Sequence, residues 1–332
     1  MFRPTKILHY LNWMQQRGFS DQQVLANTGI SADKLNDKHY LIDSWQTQQV
    51  IANLRHLTQD EALGFTISES VRFSDLGIMG YALMSARTMR EFTELWHTYS
   101  HHLVGNMVHP QIWQQDGCWG VTFHETVPLG ETLTFCMEEI FTVGKVVAEA
   151  ATNTPFVFSH LELDYPPPSH EQRYREIMNC PVSFNAGITR VTITQPTLDT
   201  PIQHNDDELY ALCLQHCQQV MQQIIRDRPL AAKVRQLFLH SQGELPSLES
   251  VADQLHISSR TLRRRLQAEG VNFQALINQF RADLAKQYMT QTNLSNQEIG
   301  FLLGYQDAKA FSKAFKNWTS QTISSFRQSL GG

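Results

Sequence analysis

The last third of the chain carries two helix-turn-helix motifs in tandem, at about residues 247–269 and 295–318. In each motif, apolar side chains at helical spacing lie on both sides of a turn, and Gly304 makes the turn of the second. The segment between the motifs repeats apolar residues along one stripe, which predicts a connecting helix that fixes their separation. We expect a separation of roughly 34 Å, one turn of DNA. These patterns predict an all-α C-terminal domain.

The second helix of each motif is predicted to expose basic side chains. Ser258 and Asp307 are positioned to cap these two helices, and the second motif opens with a Ser295–Glu298 capping box. Such helices enter the major groove of DNA with their N-terminal residues on base edges, where arginine is the commonest partner of guanine. The predicted base-reading residues are Arg260, Arg263, Arg264, Lys309, Ser312 and Lys313, and the predicted phosphate-binding residues are Arg265, Lys316 and Arg327.

Charge is distributed unevenly along the chain. Residues 228–332 contain 13 Lys and Arg against 7 Asp and Glu, whereas residues 1–227 contain 14 against 25. A solvated basic helix face is the alternative explanation of the arginine-rich run at 260–265. Because the surplus of positive charge is confined to the C-terminal part, we favour a DNA-binding face there. The acidic N-terminal part would be repelled by phosphate.

The second motif contains a long series of spaced residues, namely Ile299, Gly304, Tyr305, Phe311, Phe315, Lys316, Thr322, Phe326 and Arg327. On this series, about the last hundred residues resemble the DNA-binding domain of the AraC/XylS family of bacterial transcription regulators. Gly300, Ser320 and Ile323 depart from the family's usual Ala, Gly and Pro. The last two weaken the turn before the final short helix, which Thr322 can still cap. The resemblance implies a transcription regulator that activates through contact with RNA polymerase.

The N-terminal part predicts an α+β domain with one mostly antiparallel sheet. Its strand-like runs cover residues 111–125 and 156–168, and its helical patterns cover residues 89–104, 133–151 and 171–178. Ser44 is the expected cap of an earlier helix, and residues 20–37 predict a pair of short helices packed in the same domain. We expect a sensor domain at residues 1–205, a helical linker at 206–227 and the DNA-binding domain at 228–332.

Three N-terminal segments, residues 73–95, 163–184 and 198–206, resemble the sensor domain of a subgroup of the same family that includes ornithine-responsive and VirS-like regulators. The resemblance implies a small-molecule effector, and a distant relative of comparable layout binds a fatty acid between its domains. A carboxylate or fatty acid is therefore one expected effector class. The predicted pocket residues, whose alternative role is simply the domain core, are Tyr10, Trp13, Arg72, Phe73, Met79, Tyr81 and Met84.

The helix predicted at residues 206–225 is the expected element of a homodimer. Apolar side chains recur along it just before the DNA-binding domain, at Leu209, Leu212, Cys213, Val220, Ile224 and Ile225. The alternative is that this stripe packs on the sheet of its own domain.

Other function classes receive little support from the residues. His97 and His101 have an i, i+4 spacing that can bind zinc, yet no HExxH motif or cysteine pair accompanies them, so we expect no metal, no cofactor and no enzyme. A constitutive DNA binder with a structural N-terminal domain remains an alternative. No apolar stretch approaches membrane-spanning length, and the five scattered cysteines predict a cytoplasmic protein without disulfides.

Overall fold

The computed structural model describes residues 1–37, 39–115, 118–125, 127–227, 229–239, 245–291, 294–319 and 321–330. The chain divides into two compact units, Met1–Asp227 and Arg228–Gly332, called here the N-terminal unit and the C-terminal unit. Among the helices of the described residues, none is both long and apolar enough to cross a lipid bilayer.

The N-terminal unit combines helices with a single sheet. Its helices are α1 (Thr5–Gln15), α2 (Asp21–Val24), α3 (Ser44–Thr58), α4 (Leu63–Ser68), α5 (Ile78–Ser85), α6 (Met89–Leu103), α7 (Thr132–Thr152), α8 (Glu171–Met178), α9 (Gln195–Leu198) and α10 (Asp207–Asp227). Its described strands are β1 (Val108–Gln115), β2 (Cys118–Glu125), β3 (His160–Leu163), β4 (Val182–Phe184) and β5 (Arg190–Ile193).

The sheet has the strand order β1-β2-β5-β3-β4. All of these pairs are antiparallel except β3 with β4, which α8 connects by a crossover. The predicted α+β class with a mostly antiparallel sheet is therefore confirmed. Within the strand-like run at residues 156–168, only His160–Leu163 pairs as a strand. The three prolines at 166–168 have no N–H to donate to a ladder, and Phe156 and Phe158 are buried as core side chains before the strand begins.

Two predictions at the start of the chain are corrected in detail. Asp43, not Ser44, caps α3, because its carboxylate accepts the Gln46 backbone N–H at 2.9 Å while the Gln46 side chain returns to the Asp43 N–H at 3.1 Å. Both residue types cap well, so the sequence leaves a one-residue ambiguity. Residues 20–37 form α2 and only a 3-10 turn at Ala32–Lys34, although they do pack into the N-terminal unit as expected.

The helix α10 packs against α5 and α6 of its own unit. Its buried face consists of Cys213, Cys217, Val220 and Ile224, whereas Leu209, Leu212 and Ile225 are exposed. The single apolar stripe expected from the sequence is therefore divided, and the partner of its buried part is a helical layer rather than the sheet.

The C-terminal unit is helical. Its helices are α11 (Leu230–Leu239), α12 (Leu248–Gln254), α13 (Ser259–Ala268), α14 (Phe273–Gln291), α15 (Asn296–Leu302), α16 (Ala308–Thr319) and α17 (Ile323–Leu330). The described side chains form two apolar clusters, one around α12 and α13 and the other around α15 and α16. The connecting helix α14 contributes Leu276, which belongs to the predicted stripe, to the first cluster, and Ala285 and Met289, which do not, to the second.

Candidate nucleic-acid interface and ligand cavity

The first helix-turn-helix motif is built by α12 and α13. Ser258 caps α13 by accepting the Thr261 backbone N–H at 3.2 Å, as predicted. The turn between the helices places His256 at φ 54°, a left-handed conformation, and lets the Ile257 N–H donate to the Ala252 carbonyl at 3.0 Å. Leu262 and Leu266 of α13 are fully buried beneath this turn, which fixes the helix on its apolar side.

The second motif repeats this geometry with α15 and α16. Gly304 has φ 84°, and the Tyr305 N–H donates to the Gly300 carbonyl at 2.8 Å. The departure at Gly300 has a packing explanation, since a Cβ there would lie 3.0 Å from the Cβ of Phe311. The predicted capping box is present between Ser295 and Glu298, and the hydrogen bonds from Ser295 lower the pKa of the Glu298 carboxyl.

The outward face of α13 is a row of arginines. Arg260, Arg263, Arg264 and Arg265 are all exposed, whereas Leu262 and Leu266 of the same helix are buried. Arg260 is the second residue of α13, and the other arginines lie in the next turn. In helices that bind the major groove, this N-terminal part approaches the base edges. We call this set the α13 arginine face.

The outward face of α16 is basic but less dense in charge. Lys309, Lys313 and Lys316 are exposed, and Phe311 and Phe315 are fully buried. The side chain of Ser312 is half-buried, and its hydroxyl donates to the Ala308 carbonyl at 2.7 Å. Its oxygen can therefore still accept a hydrogen bond from another group. The start of the helix is capped as predicted, by the Asp307 carboxylate on the Ala310 N–H at 2.8 Å.

The final helix α17 is tied to the second motif by two of the predicted family residues. Thr322 caps it by accepting the Ser325 N–H at 3.1 Å, and Arg327 donates to the Leu294 carbonyl at 2.8 Å. Ile323, in the place of the family's proline, is buried in the core of the motif. Arg327 therefore has a structural contact in addition to its predicted phosphate contact. Ser320, the third departure, lies outside the described residues.

The N-terminal unit contains a cavity between α1, α6 and α7. Its volume is about 30 Å³, or about 390 Å³ when its solvent-open mouth is included. Apolar side chains make most of its wall, namely Val71, Leu76, Trp96, Val104, Ile140 and Val143. Its polar lining residues are Lys6, His9, Asp75, Asn106 and Glu139.

A buried ion pair lies at this cavity. Lys6 Nζ donates to Glu139 Oε2 at 2.5 Å, and the Tyr10 hydroxyl donates to Glu139 Oε1. Lys6 is 6% exposed and Glu139 7%. Burial, together with the neighbouring Glu139 carboxylate, raises the pKa of the Tyr10 hydroxyl well above its usual range. Sequence reasoning missed Lys6 and Glu139 because charged residues are normally exposed, and only the i, i+4 spacing of Lys6 and Tyr10 hints at a shared partner.

The predicted pocket residues are not brought together at this cavity. Of the residues that the structure describes as lining it, none is among Tyr10, Trp13, Arg72, Phe73, Met79, Tyr81 and Met84. Tyr10, Trp13 and Met79 are buried in the core, whereas Arg72 and Tyr81 are exposed. Phe73 and Tyr81 form an edge-on ring pair with centroids 5.3 Å apart, and Met84 is half-buried. Tyr10 reaches the cavity only through Glu139.

The histidines and cysteines singled out in the sequence have ordinary surroundings. The rings of His97 and His109 are 5.9 Å apart, and Cys213 and Cys217 belong to the buried face of α10. Within the described ranges, no three His, Cys, Asp or Glu side chains are grouped closely enough to hold a metal ion.

Comparisons with known proteins match both units. The family model of the arabinose-binding N-terminal domain of AraC transcription regulators matches residues 18–202, and a helix-turn-helix domain model matches residues 251–329. The first match alone covers more than half of the chain. The chain is thus a DNA-binding transcription regulator with a ligand-binding N-terminal domain. The relatives that it matches include further transcription regulators.

Individual relatives are similar to the chain over different shares of its length. The chain is 26% identical to the ornithine utilization regulator of Pseudomonas aeruginosa over 96% of its own length and 94% of that protein. It is 30% identical to the regulator VirS of Mycobacterium tuberculosis, over 52% of this chain and 49% of VirS. The solved structure of the regulator CdpR from Pseudomonas aeruginosa aligns with 96% of the chain and 98% of CdpR, at 23% identity and a TM-score of 0.47. With both domain models matched in order along one polypeptide, the chain belongs to the AraC family of transcription regulators.

Proposed function

We propose that the C-terminal unit reads DNA sequence by placing α13 and α16 in successive major grooves. The observation that carries this proposal is the shared construction of the two helices. Each is capped at its N-terminus, fixed by large apolar side chains on one side, and exposed with a basic surface on the other. A helix fixed in this way presents its outward side chains to DNA with little loss of conformational freedom.

We assign base reading and phosphate binding to different residues of these faces. Arg260, Arg263 and Arg264 are the proposed base readers of α13, with Lys309, Ser312 and Lys313 on α16, and Arg265, Lys316 and Arg327 are the proposed phosphate contacts. Arginine can hydrogen bond to guanine through two N–H groups. The DNA element read by α13 should therefore tolerate fewer base changes than the element read by α16. The lysines of α16 are point charges. We expect a larger part of the DNA affinity of α16 than of α13 to be independent of sequence.

We further propose that the regulator is a homodimeric, effector-responsive activator that works in the cytoplasm. The exposed Leu209 and Leu212 of α10 support a dimer contact, because apolar side chains on the exposed face of a helix are suited to pairing. Activation would proceed through contact with RNA polymerase. The effector would be a small carboxylate or fatty acid, and the name of the ornithine utilization regulator adds amino acids to the classes to be tested.

Selection of bound genomic fragments by the purified full-length protein tests the DNA-reading proposal. Selection should be done at about 0.15 M salt, since affinity for DNA depends steeply on ionic strength. We expect footprints with paired elements one helical turn apart within each half-site. Enrichment without a shared sequence would contradict base reading. DNA affinity that no extract or small molecule changes would favour the alternative, a constitutive DNA binder with a structural N-terminal unit.

A further inference from the structure

The cavity between α1, α6 and α7 contains hydrogen-bond donors that its own residues do not use. We infer that this cavity is the effector site of the N-terminal unit, and that it recognises the carboxylate group of a small acid through Lys6 and Asn106. The inference deepens the proposed function, because it rests on the regulator being effector-responsive. It names the residues and the ligand class.

Asn106 supplies the first unused donor. Its side chain is only 5% exposed, and its Nδ2 atom is buried without a hydrogen-bond partner among the described residues. Buried amide groups are normally paired, since an unpaired donor loses its hydration without compensation. The backbone of Asn106 is engaged, its carbonyl accepting from His101 Nδ1 at 2.6 Å, which holds the residue in the cavity wall. A ligand oxygen would supply the missing acceptor.

Lys6 supplies the positive charge. An ammonium group has three N–H donors, and the contact with Glu139 Oε2 uses one of them. Glu139 is engaged on both of its oxygens, by Lys6 and by Tyr10, so its negative charge is already compensated from two sides. A ligand carboxylate that reached Lys6 would form a charge-assisted hydrogen bond in a mostly apolar environment, where such bonds are strongest.

The other residues of the cavity restrict the rest of the ligand. Six apolar side chains line the wall, which requires an apolar body next to the carboxylate. The inner volume of about 30 Å³ is small enough that only a headgroup would be enclosed, and the remainder of the ligand would lie at the solvent-open mouth. Asp75 faces His9 across 3.7 Å and its side chain is 36% exposed. Asp75 also lines the cavity and could bind an ammonium group on the ligand. The recognised carboxylate could therefore belong either to a simple acid or to an α-amino acid.

Occupancy of the cavity would change the contact between α1 and α7. The Lys6–Glu139 pair joins these helices, and a ligand carboxylate would compete with Glu139 for the Lys6 ammonium. The ion pair is buried, so any weakening of it has to be offset by new bonds from the ligand. Ligand binding would thus alter the packing of the N-terminal unit through a defined pair of helices.

The test is calorimetric titration of the full-length protein, in the absence of DNA, with four probes. Hexanoate carries the carboxylate, and norleucine adds an α-ammonium to the same chain. Hexanamide keeps the shape without the charge, and inorganic phosphate supplies a different anion. We expect hexanoate or norleucine to bind and hexanamide and phosphate not to bind. The tighter of the two carboxylates identifies the source, a simple acid or an amino acid.

Two variants separate recognition from folding. Asn106→Leu removes the unpaired donor and should leave the unliganded protein as stable as before, while weakening carboxylate binding by about tenfold. The charge-balanced Lys6→Met/Glu139→Gln variant avoids leaving a buried carboxylate alone and should abolish the binding. Equal binding of hexanoate and hexanamide, equal binding of phosphate, absence of carboxylate binding, or unchanged affinity in both variants would overturn the assignment.

Fragment selection with the same preparations keeps the two proposals apart. Sequence-specific footprints without carboxylate binding would overturn this site and leave the DNA-reading function intact. Carboxylate binding without sequence-specific footprints would leave the site and count against the function.

Discussion

His256 and Gly304 occupy the same place in two different turns. Each lies in a left-handed conformation, at φ 54° and 84°, and each is followed by a residue whose N–H donates to the carbonyl five positions before it, Ile257 to Ala252 and Tyr305 to Gly300. Glycine adopts this conformation without strain, whereas histidine pays a conformational cost. The first motif therefore has a strained residue where the second has a relaxed one.

Exchange of the two residue types should have opposite effects on stability. His256→Gly should stabilise the first motif by about 0.5–1 kcal/mol, and Gly304→His should destabilise the second by about 1–2 kcal/mol. No described atom lies within 4 Å of a Cβ placed at Gly304, so its cost would come from the backbone alone. Urea unfolding combined with hydrogen exchange of residues 245–319 measures both. A loss of stability in His256→Gly would contradict the argument.

Arg263→Ala should weaken binding to the selected DNA site by roughly 1–3 kcal/mol and relax specificity in one half of it. The reason is that Arg263 is exposed on the α13 arginine face, while Leu262 and Leu266 of the same helix are buried and hold it in place. Affinity is measured for the selected site and for single-base variants of it. Arg175→Ala, which removes an exposed arginine of the N-terminal unit, is the control and should bind like the parent. An unchanged ranking of the base variants in Arg263→Ala would disprove base reading.

Lys316→Ala should weaken binding to every DNA sequence by a similar factor. A phosphate contact carries no sequence information, and its loss should flatten the slope of log affinity against log salt by about one. Binding measured over a range of salt, for selected and unrelated DNA, checks both expectations. A loss confined to the selected sequence would instead assign Lys316 to base reading.

Leu212→Glu should dissociate the proposed homodimer without unfolding the protein. Leu212 is 63% exposed on α10, whose opposite face is buried in its own unit, so a charge there removes only an intermolecular apolar contact. Sedimentation equilibrium of the full-length protein measures the association. Gln222→Glu adds the same charge at another exposed position of α10 and is the matched control. Equal association of the two variants would exclude this face as the dimer contact.

Glu138 should make the stability of the N-terminal unit depend on pH. The carboxylate accepts hydrogen bonds from His170 Nε2 at 2.5 Å and from the Tyr174 hydroxyl at 2.9 Å, yet burial outweighs them and raises its pKa above 4.5. The folded state therefore holds the proton more tightly than the unfolded state. This contribution is fully present below pH 4.5 and is lost as the pH rises through the higher pKa of the folded state.

Glu138→Gln removes the titrating group and keeps an oxygen for both donors. We expect the free energy of unfolding of the variant to change less with rising pH, from pH 4.5 to neutral, than that of the parent. Urea unfolding at several pH values provides the comparison. Parallel pH profiles of parent and variant would show that another group governs this range.

Sequence reasoning was most accurate where local chemistry determines local structure. The caps at Ser258, Asp307 and Ser295 and the turn at Gly304 were all predicted, because each depends on one side chain and a neighbouring backbone group. The left-handed turn at His256 was missed, since histidine adopts this conformation only occasionally and its residue type alone does not predict it. There the packing of the two helices outweighs the local preference.

The cavity between α1, α6 and α7 could not be predicted from local sequence patterns, for a different reason. Lys6 and Glu139 are separated by more than a hundred residues, and each alone reads as a surface charge on an amphipathic helix. Only the approach of α1 to α7 makes them a pair. The aromatic and methionine residues predicted for a pocket follow the general composition of such sites, but the same residue types build cores, and Tyr10 and Met79 are buried as core side chains.

The helix α14 contributes to both apolar clusters of the C-terminal unit. Its length therefore fixes how the two helix-turn-helix motifs are placed relative to each other. Inserting one residue in α14 would lengthen it by about 1.5 Å and turn one motif by about 100° relative to the other. The length of α14 therefore determines both the distance and the rotation between the two motifs. If α13 and α16 enter successive major grooves as proposed, this one helix sets the number of base pairs between the two elements of a half-site, and a change in its length requires a matching change in the DNA spacing.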